Sequence, residues 1–120
     1  MIFRLTATRL VVISAMALCF AGAAVAHPPK DIKLAFDQES KVLSVNVIHN
    51  VQAPTNHYIK EVKVSLDGKQ IISQKMSSQT DKHSQVIRYV VFDAKPGSIL
   101  KVEADCSRFG DKKKELKVGQ

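Results

Sequence analysis

An all-β sandwich is the architecture this sequence predicts, and three observations predict it. From residue 27 onward, apolar residues recur with period two in one run after another. Turn-forming residues interrupt those runs at intervals of about eight to twelve positions, and no segment carries a sustained helical stripe. Period two marks a strand with one face in a core, because successive side chains point to opposite sides of a sheet. Seven such runs in one short chain fit a seven-stranded immunoglobulin-like β-sandwich or barrel.

The first predicted strand is Ile32 to Phe36 and the second Val42 to Asn50. In the second, Leu43, Val45 and Val47 share one face and His49 is next on it, while Ser44 and Asn46 point the other way. The third strand, Tyr58 to Leu66, runs into Asp67-Gly68, a pair favoured in tight hairpins, and the fourth, Gln70 to Lys75, returns from it. Ser77 to Ser84 is polar and is expected to be an exposed loop. The fifth strand, Val86 to Phe92, precedes a chain reversal at Lys95-Pro96-Gly97. In the sixth, Ile99 to Cys106, the residues Leu100, Val102 and Ala104 share a face with Cys106, and Lys101, Glu103 and Asp105 face out. Lys114 to Val118 is the seventh.

Residues 1–26 have the composition of a cleaved secretory signal. Arg4 and Arg9 charge its start, an apolar stretch runs from Leu10 to Phe20, and Ala24-Val25-Ala26 supplies the small residues a signal peptidase requires. The apolar stretch is shorter than the roughly 20 residues that span a bilayer, so no membrane anchor is expected after cleavage. The domain expected to remain is 27–120, in a periplasmic or secreted compartment. Of the eighteen basic residues two leave with the leader, and sixteen against eleven acidic ones give a formal charge of +5. Clustered charge with interleaved aromatics, which nucleic-acid binding requires, is missing, and the basic surface is better suited to attracting small anions. Cys19 leaves with the leader, so Cys106 has no cysteine to pair with. An unpaired thiol in an oxidising compartment needs burial or a metal bond to protect it.

His27, His49, His57 and Cys106 are therefore the candidate metal ligands. Alternation brings His49 and Cys106 out of the core at strand ends, where a sandwich can gather residues distant in sequence. Imidazole nitrogens with one thiolate suit iron, copper or zinc. His83, among Asp81, Lys82 and Ser84, is expected to be a solvated loop residue.

Three stretches carry a resemblance. They are His27-Pro28-Pro29-Lys30-Asp31-Ile32; Val47-Ile48-His49 leading through a loop to His57-Tyr58-Ile59; and Val102-Glu103-Ala104-Asp105-Cys106 followed by Gly110. In order and type these resemble the iron-binding domain of desulfoferrodoxins and superoxide reductases, over essentially the whole chain from residue 27. The resemblance implies a seven-stranded immunoglobulin-like barrel around a mononuclear iron with four planar histidines and one axial thiolate. In that family superoxide is reduced to hydrogen peroxide at the open position opposite the cysteine. Carried over by position, His27, His49 and His57 match three of the histidines and Cys106 the thiolate. An external electron donor protein would re-reduce the iron, and Lys30 and Lys60 are the nearest proton donors in sequence.

The chain departs from the family pattern at three places. Phe109 stands where the fourth histidine of the cysteine motif belongs. The loop from Asn50 to Asn56 is longer than the family's. The Glu-Lys pair that precedes the family's first histidine falls on Val25-Ala26. Metal binding is thus a firmer expectation than superoxide reduction. The alternative is a non-enzymatic copper-binding sandwich, in which the amine and imidazole of an N-terminal His27 chelate copper together with His49 or His57.

Overall fold

The computed structural model describes residues 27–120; the expected signal segment, 1–26, lies outside them. The described chain forms seven strands: β1 (Asp31–Asp37), β2 (Val42–Ile48), β3 (Ile59–Leu66), β4 (Lys69–Lys75), β5 (Ser84–Val90), β6 (Ile99–Cys106) and β7 (Asp111–Lys117). They make two antiparallel sheets, of order β1-β2-β5 and β4-β3-β6-β7. This is the all-β sandwich the alternation predicts, in an order compatible with an immunoglobulin-like arrangement.

The core lies between the sheets and is supplied by the faces read from the sequence. Leu43, Val45 and Val47 of β2 are buried, as are Leu100, Val102 and Ala104 of β6. Ile32 of β1 and Ile59, Val62 and Val64 of β3 complete its centre. A one-residue slip in β2 or β6 would turn these apolar sets to solvent, so the core fixes the register. The β3–β4 hairpin turns on Asp67 and Gly68, both in the left-handed region at φ 49° and 85°. Such angles at both central positions match the twist of the flanking strands.

The strand limits differ from the sequence reading where the apolar signal is weak. β7 begins at Asp111 and not at Lys114, because Lys112, Lys113 and Lys114 pair with Ala104, Glu103 and Val102 of β6. A solvated edge strand needs no apolar period to hold its ladder, and its lysines discourage pairing with another chain. β5 runs from Ser84 to Val90, and Val86 and Val90 point to solvent while Ile87 and Tyr89 pack against the core. β2 ends at Ile48, but pairing continues past it through His49 N–H to the His83 carbonyl (2.9 Å).

The antiparallel order places the start of β1, the end of β2, the start of β3 and the end of β6 together. Asp31 pairs with Ile48 and Ile59 with Cys106. Residues just outside these pairs in both sheets therefore meet at one end of the sandwich.

Candidate metal centre

Each candidate ligand reaches that end by a different route. His49 continues the buried parity of β2 by one further step and is completely shielded from solvent, at 0% exposure. Cys106 closes the buried face of β6 at 3% exposure. His57 lies two residues before Ile59, the partner of Cys106, and so points to the same side of the sheet. Its backbone is set by a turn in which the N–H groups of Asn56 and His57 both donate to the Ala53 carbonyl, each at 2.9 Å. Ser107 then clamps the junction: its N–H donates to the Tyr58 carbonyl (2.8 Å) and its hydroxyl accepts from the Tyr58 N–H (3.1 Å).

The result is a compact donor set. One atom each from His49, His57 and Cys106 lies within 4.8 Å of the others. His57 Nε2 is 3.1 Å from Cys106 Sγ, and the His49 and His57 rings meet edge to face at 4.7 Å between centroids. The Arg108 N–H points at the same sulfur from 3.4 Å. Such an amide stabilises negative charge on sulfur.

His27 stands beside this trio and outside its 4.8 Å set. Its ring centroid is 5.9 Å from that of His49 and 6.0 Å from that of His57. The segment that carries it is held from two sides. The Lys30 N–H donates to the Ile48 carbonyl at 2.8 Å, which extends the β1–β2 ladder. Pro28 lies directly against Gly110, where an added Cβ would come within 2.7 Å of the Pro28 Cβ.

Burial holds the His49 imidazole below the usual histidine value, against the opposing effect of its bond to Gln79. At His57 burial acts the same way, reinforced by the positive charges of His49, Arg108 and His27. Both rings therefore stay neutral into mildly acidic solution, the form in which a nitrogen lone pair can bind a metal. His49 Nε2 is buried and has no hydrogen-bond partner. A buried imidazole nitrogen without a hydrogen-bond partner is costly unless a Lewis acid takes its lone pair; the His27 backbone acts on the same ring as a minor influence that raises its pKa. Ligands bonded to one tetrahedral ion through nitrogen and sulfur lie about 3.5 Å apart, within reach of small side-chain adjustments here. The group thus has the donors, burial and orientation to bind a metal ion, of a kind these residues alone do not select.

Gln79 is the site residue that sequence reasoning missed. It sits in the polar segment expected to be exposed, yet its side chain is buried beneath His49. Its Oε1 lies 2.7 Å from His49 Nδ1, and its amide nitrogen donates to the carbonyls of His49 (2.7 Å) and Asp81 (2.9 Å). Ser77, Ser78, Thr80, Asp81 and Lys82 are exposed as expected, whereas Ser84 is half-buried and begins β5. His83 is exposed too, with its Nδ1 3.2 Å from Asn50 Oδ1.

Phe109 is 63% exposed and does not pack over the candidate ligands, of which His49 and Cys106 are nonetheless buried by the rest of the fold. It shares with Lys60, Cys106 and Arg108 the wall of an open cleft of about 420 Å³. Lys30 is exposed on the segment that follows His27. Glu103, Asp105 and Asp111 bring carboxylates together on the outer face of the same sheet, where Lys63 pairs with Asp105 at 3.7 Å and with Glu61 at 3.4 Å. Comparison of the chain with protein-family models, curated proteins and solved structures returns no match.

Proposed function

We propose that the protein is a mononuclear iron-binding protein of the superoxide-reductase-like kind, acting in the periplasm or outside the cell. His49, His57 and Cys106 would hold the ion, with His27 beside them as the candidate fourth ligand. One observation carries the metal site: a buried His49 with an unpartnered Nε2, on a ring whose donor lies within 4.8 Å of donors from His57 and Cys106. The preference for iron comes from the resemblance of the His27, His49, His57 and Cys106 stretches to that family. Zinc is compatible with the same four donors.

Iron in such a site supplies one-electron redox chemistry. Reduction of superoxide to hydrogen peroxide consumes one electron and two protons, and the residues present can serve the proton side of that reaction. Lys60 borders the cleft that reaches Cys106 and can pass a proton there, while Glu103, Asp105 and Asp111 on the same wall offset the charge of Lys60 and Arg108. Lys30 offers a proton next to His27. The Arg108 N–H tunes the thiolate by withdrawing charge from sulfur. With Phe109 in place of a further histidine, the ligand set is smaller than the family's, and carriage of metal or of an electron to a partner protein is the second use of the same site.

Anaerobic addition of ferrous iron to the purified protein, followed by oxidation, tests the reading. One iron per chain and a thiolate-to-ferric charge-transfer band, lost in Cys106→Ala, are expected; a protein that takes up no iron overturns it.

A copper site is the competing assignment, favoured by the nearness of the His27 ring to both other histidines. Chemical blocking of the His27 amine separates the two. A copper chelate through amine and imidazole loses most of its affinity, whereas an iron site built from side chains loses little.

A further inference from the structure

We infer that Gln79 is a positioning residue that fixes His49 as the Nδ1–H tautomer and so presents Nε2 as its only free nitrogen; as a statement about metal binding this rests on the metal-site reading above.

The chain of reasoning starts from the amide. Two backbone carbonyls, of His49 and Asp81, converge on one end of the Gln79 side chain at 2.7 and 2.9 Å. Only the NH2 end can sit there, because an amide oxygen facing two carbonyl oxygens would be repelled with no proton between them. Oε1 must then be the end that faces His49 Nδ1 at 2.7 Å. An amide oxygen only accepts, so Nδ1 carries the hydrogen, and in a neutral ring Nε2 is left with a bare lone pair. That is the same atom found buried without a partner, on a ring that contributes a donor to the group with Cys106 and His57.

Gln79 is itself over-determined. Every polar group of its side chain is engaged, and its backbone N–H donates to the Pro54 carbonyl at 3.1 Å. That last bond ties the segment between β4 and β5 to the loop that delivers His57. One residue therefore orients the ligand from the first sheet and braces the loop that carries a ligand to the second. A metal-bound histidine whose other nitrogen donates to a fixed acceptor is more basic and less free to rotate, and loss of such an acceptor typically weakens metal binding about 10- to 100-fold.

The test uses the full folded protein labelled with 15N-histidine and stripped of metal. Long-range 1H–15N correlation is expected to show His49 with a protonated Nδ1 and an unprotonated Nε2. In Gln79→Met, which keeps an unbranched side chain of similar size, the proton is expected to move to Nε2 in part or whole. Cobalt(II) affinity should fall about 10-fold or more, while the sulfur-to-cobalt band from Cys106 persists at saturation. A wild-type His49 protonated on Nε2, or exchanging between tautomers, overturns the inference, as does a Gln79→Met protein that binds cobalt(II) as tightly as its parent. Failure of the wild type to bind any metal removes the metal-site reading instead; the tautomer measurement needs no metal and decides the role of Gln79 by itself.

Discussion

His57 and Cys106 are 49 residues apart in sequence, and His57 Nε2 lies 3.1 Å from Cys106 Sγ. The contact is a consequence of register. Ile59 pairs with Cys106 across β3 and β6, which brings the turn two residues before Ile59, and His57 with it, beside the sulfur. Cys106 is held in the β6 ladder and His57 by the turn on Ala53 just before β3, so one member of the pair is set by a sheet and the other by the loop that enters it.

The first prediction concerns the reactivity of that sulfur. At 3% exposure, with His57 on one side and the Arg108 N–H on another, Cys106 is closed to bulky reagents. Native protein from residue 27 onward should react with an aromatic disulfide far more slowly than protein in guanidinium. His57→Ala should speed the native reaction, and one equivalent of zinc should suppress what remains. Absorbance of the released thiol measures all three.

Gly110 gives the second. It adopts φ +83°, and a methyl group there would press on Pro28. A non-glycine residue in this region costs of order 1–3 kcal/mol. Gly110→Ala should lose about that much stability in urea unfolding, through strain that is independent of any metal. It should also displace the segment bearing His27, so that cobalt(II) titration finds an affinity matching His27→Ala, with three ligands retained and the fourth lost.

The depressed His49 and His57 values predict how the metal-free protein responds to acid. In the unfolded chain both rings protonate near 6.5, and in the folded protein only at lower pH. Within that window the unfolded state binds more protons, so stability rises with pH and falls as the pH drops below about 6.5. Urea midpoints of metal-free protein should decline between about pH 7.5 and 5.5. His57→Gln should flatten the decline, because one of the two linked protons is gone.

Tyr89 sets the alkaline limit. Its hydroxyl is buried without a partner, and burial pushes its pKa up to about 12 from 10.0. The unfolded chain loses this proton first, so stability falls as the pH rises from about 10 to about 12. Spectrophotometric titration should find one tyrosine ionising only with unfolding. Tyr89→Phe should be neutral or stabilising at pH 7, since it removes a buried hydroxyl that bonds to nothing, and should blunt the alkaline loss.

Legibility of the fold in the sequence followed the depth of burial. β2 and β6 are central strands with one face sealed in the core, and their alternation located both the strands and the two ligands at their ends. β7 is a solvated edge whose lysines hide its first three residues from any hydrophobic pattern. Lys41, between β1 and β2, takes φ 61° although glycine would be the ordinary signal for such a turn; its ammonium donates to the Ala94 carbonyl at 2.8 Å, a contact 53 residues away that no local pattern contains. Within the site, parity predicted the direction of His49 and Cys106. Gln79 was invisible for the opposite reason. It lies in a polar segment with no period, and its partner is 30 residues distant. Only its burial reveals it.

His49 follows a strand of one sheet, while Cys106 ends a strand of the other and His57 precedes one, and the described residues contain no disulfide. An ion held among the three would be a reversible staple across the sandwich, tightened or released by supply. By mass action such a ligand adds about 4.1 kcal/mol to stability at a thousand times its dissociation constant. Scarcity of metal would then govern how long the molecule survives as well as what it can do.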